Sequence, residues 1–274
     1  MRVFKFFYLT IDFIKGNCYQ WGLNPGFNDT EPYTFIVQAA TTLDFSDIVY
    51  EINAGNSYFV IDNTNIKQNW SPDLYFRVQL KTVNNIYYSE ILLFDSSPTT
   101  KRKYRMAADI MRKFNVWVKF AGTQAYLLKR KIYGTVDTKN VDPITGIPLN
   151  NNVGNFGTGI VGGYYKPLPL AMVIESNAKD KSLSPDGQNV KEVYELSVRI
   201  NGFPMVDTYD VIVRADNNKR YNVVGIRSIN FPGTNICIGQ TLDIKLLPIG
   251  DNIYQIPTPS YRVPQLPLKD QPNV

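Results

Sequence analysis

The chain has 274 residues, 44% hydrophobic and 19% charged, with a formal net charge of +5. This balance excludes a disordered chain and fits roughly one large or two to three small domains. It holds no histidine and two cysteines, Cys18 and Cys237, which excludes Ser–His–Asp and Cys–His catalysis, HExxH zinc sites and histidine general bases. The charge is uneven: residues 1–98 carry 6 basic and 10 acidic residues (net −4), 99–180 carry 13 and 5 (net +8), and 181–274 carry 10 and 9 (net +1).

The 18 Tyr, 15 Phe and 3 Trp favour strands. The N-terminal run Met1–Asp12 has a signal-peptide flavour, but Asp12 and Lys15 interrupt it and no small-residue cleavage site follows. It is read as a folded or partner-bound strand. Further strands are expected at 33–38, 48–52, 57–61, 74–80 and 86–94. Asn53-Ala54-Gly55-Asn56 and Asn84-Asn85 supply turns between them. Closely spaced strands with polar turns point to an antiparallel sandwich. With Trp21, Leu74-Tyr75-Phe76-Arg77-Val78 and Ser89-Glu90 in these places, the segment resembles a fibronectin type III or immunoglobulin-like module. Trp21 and Tyr75 are expected in its core. The two cysteines are too few for a zinc site and are expected to be free and buried.

Ser96-Ser97-Pro98-Thr99-Thr100 breaks the strand pattern and marks a boundary. Tyr104, Ala107, Ala108, Met111 and Asn115 then fall on one helical face, so a helix is predicted over about 100–115. Strand character returns at 116–120 and 126–133. Residues 134–163 read as a long, functional type of loop, with an Asp142-Pro143-Ile144-Thr145-Gly146 turn and Asn150-Asn151-Asn152. The last third shows strands at 192–200, 210–215, 219–226 and 240–247, with a hairpin at Asp216-Asn217-Asn218. Short hairpin-linked strands suggest a small barrel or sandwich. Five prolines from Pro257 to Pro272 favour an extended arm.

Four features compete for chemistry. Glycines at 154, 157, 159, 162 and 163 tempt a phosphate-loop reading, but Tyr164-Tyr165-Lys166-Pro167 follows and Gly-Lys-Ser/Thr is missing. Gly157, Gly159, Gly162, Gly163, Tyr164 and Tyr165 are instead expected in a structural turn or an intersubunit contact. Acid–base chemistry needs carboxylates that converge in a cleft; the pairs Asp207/Asp210 and Glu192/Glu195 are close in sequence, yet they lie at strand ends or on an exposed strand, where solvation is the default. The basic run is more informative: Lys101, Arg102, Lys103, Arg105, Arg112, Lys113, Lys119, Lys129, Arg130 and Lys131 stand against Asp109 alone. It suits DNA phosphates, an acidic neighbouring subunit such as the first module of another copy, or a plain solvated face. No run approaches the about 18 apolar residues of a membrane span.

The helix with Tyr104-Arg105-Met106, then Leu127-Leu128-Lys129-Arg130-Lys131, a turn-rich loop and Gly157-Thr158-Gly159-Ile160-Val161-Gly162-Gly163-Tyr164-Tyr165-Lys166-Pro167 resemble a group of structural proteins of tailed bacteriophages. In some of those the loop carries CxxC pairs for zinc. This chain has no cysteine between 19 and 236, so the metal does not carry over and asparagines and Asp142-Pro143 must hold the loop. Residues 219–224, 239–248 and 251–257 are similar to the closing barrel of phage head–tail connector proteins, which form rings between portal and tail. The resemblance implies a non-enzymatic, cofactor-free virion protein of the neck, assembled in the host cytoplasm. Its partners would be copies of itself, portal, connector or tail proteins, and packaged DNA contacted non-specifically.

The expected architecture is mainly β. It comprises an immunoglobulin-like sandwich (1–98), a basic helix and Gly/Asn-rich loop segment (99–180), a small β-barrel (181–256) and a proline-rich tail (257–274). A tail or baseplate protein, a cell-envelope or glycan-binding sandwich, and a carboxylate-dyad hydrolase at Asp207 and Asp210 are the alternatives.

Overall fold

Alternating aromatic and β-branched residues fold the first third into strands. The computed structural model describes residues 3–12, 16–25, 27, 29, 31–63, 74–93, 101–139, 142, 154–175, 195–232 and 236–259. β1 (Phe4–Asp12), β2 (Gly16–Leu23) and β5 (Phe59–Asp62) make one antiparallel sheet in the order β1-β2-β5. β3 (Thr34–Ala40), β4 (Ile48–Gly55), β6 (Tyr75–Lys81), β7 (Ile86–Tyr88) and β8 (Leu92–Leu93) make a second, ordered β4-β3-β6-β7 with β8 also on β6. Period-two alternation sends Phe35, Val37, Ala39, Phe76, Val78 and Leu80 from one sheet against Phe4, Tyr19, Trp21 and Leu23 from the other. Trp21 is buried, its ring 5.3 Å from Phe35, as expected. Tyr75 is half-buried, and Phe76 takes the core place expected of it.

The single strand expected at 86–94 divides into β7 and β8 within its described part. Ser89 is the cause: its Oγ accepts from the Val78 amide at 2.8 Å and donates to the Glu90 carbonyl at 2.8 Å. A side chain in the ladder's place ends regular pairing.

A closed barrel follows, in the order β10-β11-β14-β13-β12-β9. Its strands are β9 (Thr123–Leu128), β10 (Leu168–Ile174), β11 (Glu195–Asn201), β12 (Val211–Arg214), β13 (Arg220–Asn230) and β14 (Cys237–Leu246). Register partners share a face, so Val198 opposite Leu242 and Leu196 opposite Ile244 both point inward, with Ala125, Leu127, Met172 and Ile212. The first two strands come from the middle third, so the barrel begins well before residue 181. The segment 126–133 is therefore a barrel strand only to Leu128.

α1 (Lys101–Ala121) lies against β10, β11 and β14. It continues through 116–120, where a strand was expected. Val118 explains this: it extends the buried face of Ala107, Ala108 and Met111 by further helical turns. Gly122 then turns the chain into β9. The boundary at 96–100, residues 143–146 and 150–152, Glu192 and most of the proline-rich tail lie outside the described residues. Cys18 and Cys237 are both buried and form no disulfide with each other.

Two predictions follow from this packing. A Cβ at Gly122 would sit 2.2 Å from the Val118 carbonyl oxygen and 3.0 Å from that of Met172. Gly122→Ala should lower stability by about 2 kcal/mol or more, read as a lower urea midpoint at unchanged slope. Burial also raises the hydroxyl pKa of Tyr8, Tyr19, Tyr58, Tyr133 and Tyr165, and pushes the Cys237 thiol up to about 11. The unfolded chain releases these protons at about pH 8.5–10 while the folded chain keeps them. Their contribution is therefore intact below that window and is lost as pH rises towards the folded values. Urea midpoints should fall steadily from about pH 9 upward, and a midpoint unchanged at alkaline pH would refute the assignment.

Candidate functional site

The basic run divides into three environments. On α1, Lys103, Arg105 and Lys113 are exposed, and Arg112 lies 3.8 Å from Asp109 on the same surface. Lys101 and Arg102 belong to the helix, while their side chains lie outside the described residues. The same helix exposes Met106, Ile110, Val116, Trp117 and Phe120, the last 82% accessible. Its opposite face is closed: Ala107 packs with Phe231 and Ile238, and the Phe114 ring rests on Gly239. α1 is therefore apolar on two faces, one inside and one outside, with cations bordering the outer one.

Lys129 requires a correction. The sequence predicts it on a DNA- or subunit-facing surface, but it is only 6% exposed. Its Nζ donates to Asp210 Oδ2 at 2.9 Å, to Asp207 Oδ2 at 2.5 Å and to the Met205 carbonyl at 3.3 Å. Asp210 is almost fully buried and also accepts from the Arg130 amide at 2.9 Å and the Asp207 amide at 2.7 Å. Burial raises the Asp210 carboxyl pKa, and Lys129 and the two amides pull it back. Both Asp210 oxygens are engaged by fixed donors, so the two aspartates form an ion-paired tie through Lys129 rather than a dyad facing a cleft. Glu195 is in β11, and its side chain lies outside the described residues.

Arg130 and Lys131 are half-buried. The Arg130 guanidinium lies 5.6 Å from the Tyr209 ring, and Lys131 Nζ donates to the Val161 carbonyl at 3.1 Å and sits 5.8 Å from the Tyr165 ring. Both serve the glycine-rich loop of their own chain. That loop runs beside 129–137: Lys131 donates to Gly163, Asp137 to Gly159, Val161 to Thr135 and Tyr165 to Lys129, each at 2.9 Å. Gly157, Gly159, Gly162 and Gly163 all have positive φ. At Gly163 a Cβ would meet the Asn155 carbonyl oxygen at 2.6 Å, so only glycine fits. The amides of Gly157, Gly162 and Gly163 donate to Asn155 Oδ1, Gly154 O and Ile160 O. Those donors are already used, which leaves no cradle for a phosphate.

Asn155, fully buried, donates to Asp137 Oδ2 at 3.0 Å and ties the described part of the loop to the 129–137 segment. Of the loop residues expected at a subunit contact, Tyr165 turns inward, 4.6 Å from the Tyr58 ring and 6.3 Å from Tyr133. Tyr164 packs on Phe156 and bridges to Arg130. Both are spent on packing within one chain.

A cleft of about 170 Å³ opens where the glycine-rich loop and the 131–135 segment meet the N-terminal unit, lined by Glu31, Tyr33, Asn56, Lys131, Tyr133 and Tyr165 among others. Its charged groups are occupied: Glu31 Oε1 accepts from the Thr135 amide at 3.0 Å, and Lys131 is bound as described. Among the described residues no group of three or more Cys, Asp or Glu side chains is placed to hold a metal ion. Nor, among the described residues, is any helix long and apolar enough to cross a membrane.

Sequence reasoning missed the Lys129–Asp210 tie and the exposed apolar face of α1. The signal for the first was strand alternation, which in Lys129-Arg130-Lys131 cannot place all three side chains on one face. The signal for the second was the apolar spacing 106, 110, 117 and 120. No family model and no curated protein matches the chain.

Lys129→Met should leave a buried, uncompensated carboxylate and cost about 3–5 kcal/mol. Lys129→Met with Asp210→Leu should recover part of that loss. Denaturant unfolding of both single variants and the double variant measures the coupling.

Proposed function

We propose that this chain is a non-enzymatic structural protein of a tailed-bacteriophage particle, a subunit of the head–tail connector that assembles as a ring between portal and tail. One observation carries the proposal: α1 turns Met106, Ile110, Trp117 and Phe120 outward among cations while its other face is closed on the barrel. A helix with its inner face satisfied and a second apolar face exposed is built for assembly.

Other features support the same reading. The two N-terminal sheets take the role of an immunoglobulin-like sandwich, and the barrel that of the closing barrel of the resembled connector proteins. The charged groups of the interior serve as structural ties. Asp210, buried with both carboxyl oxygens accepting hydrogen bonds, and the glycine-loop amides bonded within the loop weigh against the rival hydrolase reading. Portal, connector or tail proteins would be the neighbours in the particle, and the cations of α1 would face either a neighbour or packaged DNA. A glycan-binding sandwich would present aromatic rings along a groove, whereas Tyr33 and Tyr133 at the cleft are buried at 3% and 5% exposure.

Electron microscopy of the full-length protein at rising concentration should show closed rings, and particles of the encoding phage should carry the chain at the portal–tail junction. A strict monomer both free and in particles would overturn the proposal. A position further down the tail or in the baseplate would favour the tail reading.

A further inference from the structure

The outer stripe of α1 has the spacing of a seam. Lys103, Met106, Ile110, Lys113, Trp117 and Phe120 follow one another at alternating intervals of three and four residues, which sets them in one row along the helix. From 101 to 121 the helix carries seven basic residues, namely Lys101, Arg102, Lys103, Arg105, Arg112, Lys113 and Lys119, against Asp109. Two such helices cannot face each other, because Lys113 at the centre of the row would meet a like-charged surface. The occupant must be apolar and acidic.

The N-terminal unit presents such a surface. No lysine or arginine occurs from residue 16 to 66. Within that stretch the β3–β4 connection and the start of β4 expose Leu43, Ile48 and Val49 together with Asp44, Asp47 and Glu51. The segment is preformed. Ser46 donates to Asp44 Oδ1 through its amide at 3.2 Å and its hydroxyl at 2.9 Å, and Thr41 Oγ1 donates to Asp47 Oδ2 at 2.6 Å. Hydrogen bonds from Thr42 and Ser46 keep the Asp44 carboxyl below its ordinary pKa.

The basic side chains on the outer face of that sheet are Arg77 and Lys81. Arg77 is occupied, stacked 3.9 Å from the Phe45 ring and 4.2 Å from Tyr88 and donating to Gln38 Oε1 at 2.7 Å. Lys81 pairs with Thr34, at the end of the sheet away from the Ala40–Ile48 pairing. Both the helical row and the 41–51 segment are exposed, so within one chain neither covers the other.

We propose that the outer row of α1 receives the 41–51 segment of a second copy, with Leu43, Ile48 and Val49 against Met106, Ile110, Trp117 and Phe120, and Asp44, Asp47 and Glu51 against the bordering cations. The contact joins two different surfaces, head to tail, which closes into a ring when the rotation per copy divides a full turn. It rests on the ring-subunit reading and names the surfaces that build the ring.

The test uses the full chain with Lys103→Glu/Lys113→Glu, and separately with Asp44→Lys/Asp47→Lys. Circular dichroism confirms folding, and light scattering and sedimentation report association. Each pair should weaken self-association about tenfold or more, and mixing the two variants should restore it, because each then offers the complement of the other. Rings that survive both reversals overturn this contact and leave the ring reading standing. A monomeric wild-type chain at every concentration, free and in particles, overturns both. Loss of duplex-DNA retention by the helix variant with unchanged self-association overturns the contact and assigns the helix to nucleic acid.

Discussion

β2 is buried along its whole length, and the rest of the molecule is arranged around that fact. A strand in a two-layer sandwich ordinarily hides one face and wets the other. Here Tyr19, Trp21 and Leu23 fill the sandwich core, while Gln20 between them faces the barrel side. The Gln20 amide is satisfied in both directions by one residue: Nε2 donates to the Met205 carbonyl and Oε1 accepts from the Met205 amide, both at 2.9 Å. A buried amide needs both partners, so the strand fixes where residue 205 lies, and residue 205 fixes the strand.

The junction continues outward from that bond. Met205 also accepts from Lys129, which brings the Asp207/Asp210 tie to the same place. Gln240 holds the 201–206 segment from the barrel side, donating to the carbonyls of Asn201 and Pro204 and accepting from the Val206 amide. Aromatic rings line the other flank, with Phe59 5.7 Å from Phe203 and Tyr58 next to Tyr165. Arg220 anchors the far end of the barrel in the same manner, fully buried and donating to the Ile253 and Ile256 carbonyls. Charges and amides buried in this way penalise any other docking of the two β units, because a shifted arrangement would leave them unpaired away from water.

Strands in the first third were legible because period-two alternation is local. β3, β4 and β6 lie where the pattern put them. The end of α1 was not legible, since Val116-Trp117-Val118 has strand composition and only the barrel surface makes Val118 a helical core residue. The barrel's extent was hidden by distance: β9 and β10 pair although residues 129–167 separate them. Lys129 was misplaced because a cluster of cations reads as surface, while its burial depends on Asp207 and Asp210, some eighty positions later. The glycines pointed to a structural turn or an intersubunit contact; their positive φ makes the turn, but which rings it would touch depended on Tyr58 and Tyr133 in other parts of the chain.

The contact between β2 and residue 205 also decides how such a protein can change over time. A gene that received a different first domain by recombination at residue 98 would bring a new strand to a barrel still shaped for Gln20. The Met205 backbone and the Phe203 ring would meet groups they do not fit. The unit that can be exchanged therefore has two pieces, the N-terminal sheets and the 201–207 segment, which lie far apart in the gene. A change in one piece is accommodated at this junction only when it is matched in the other.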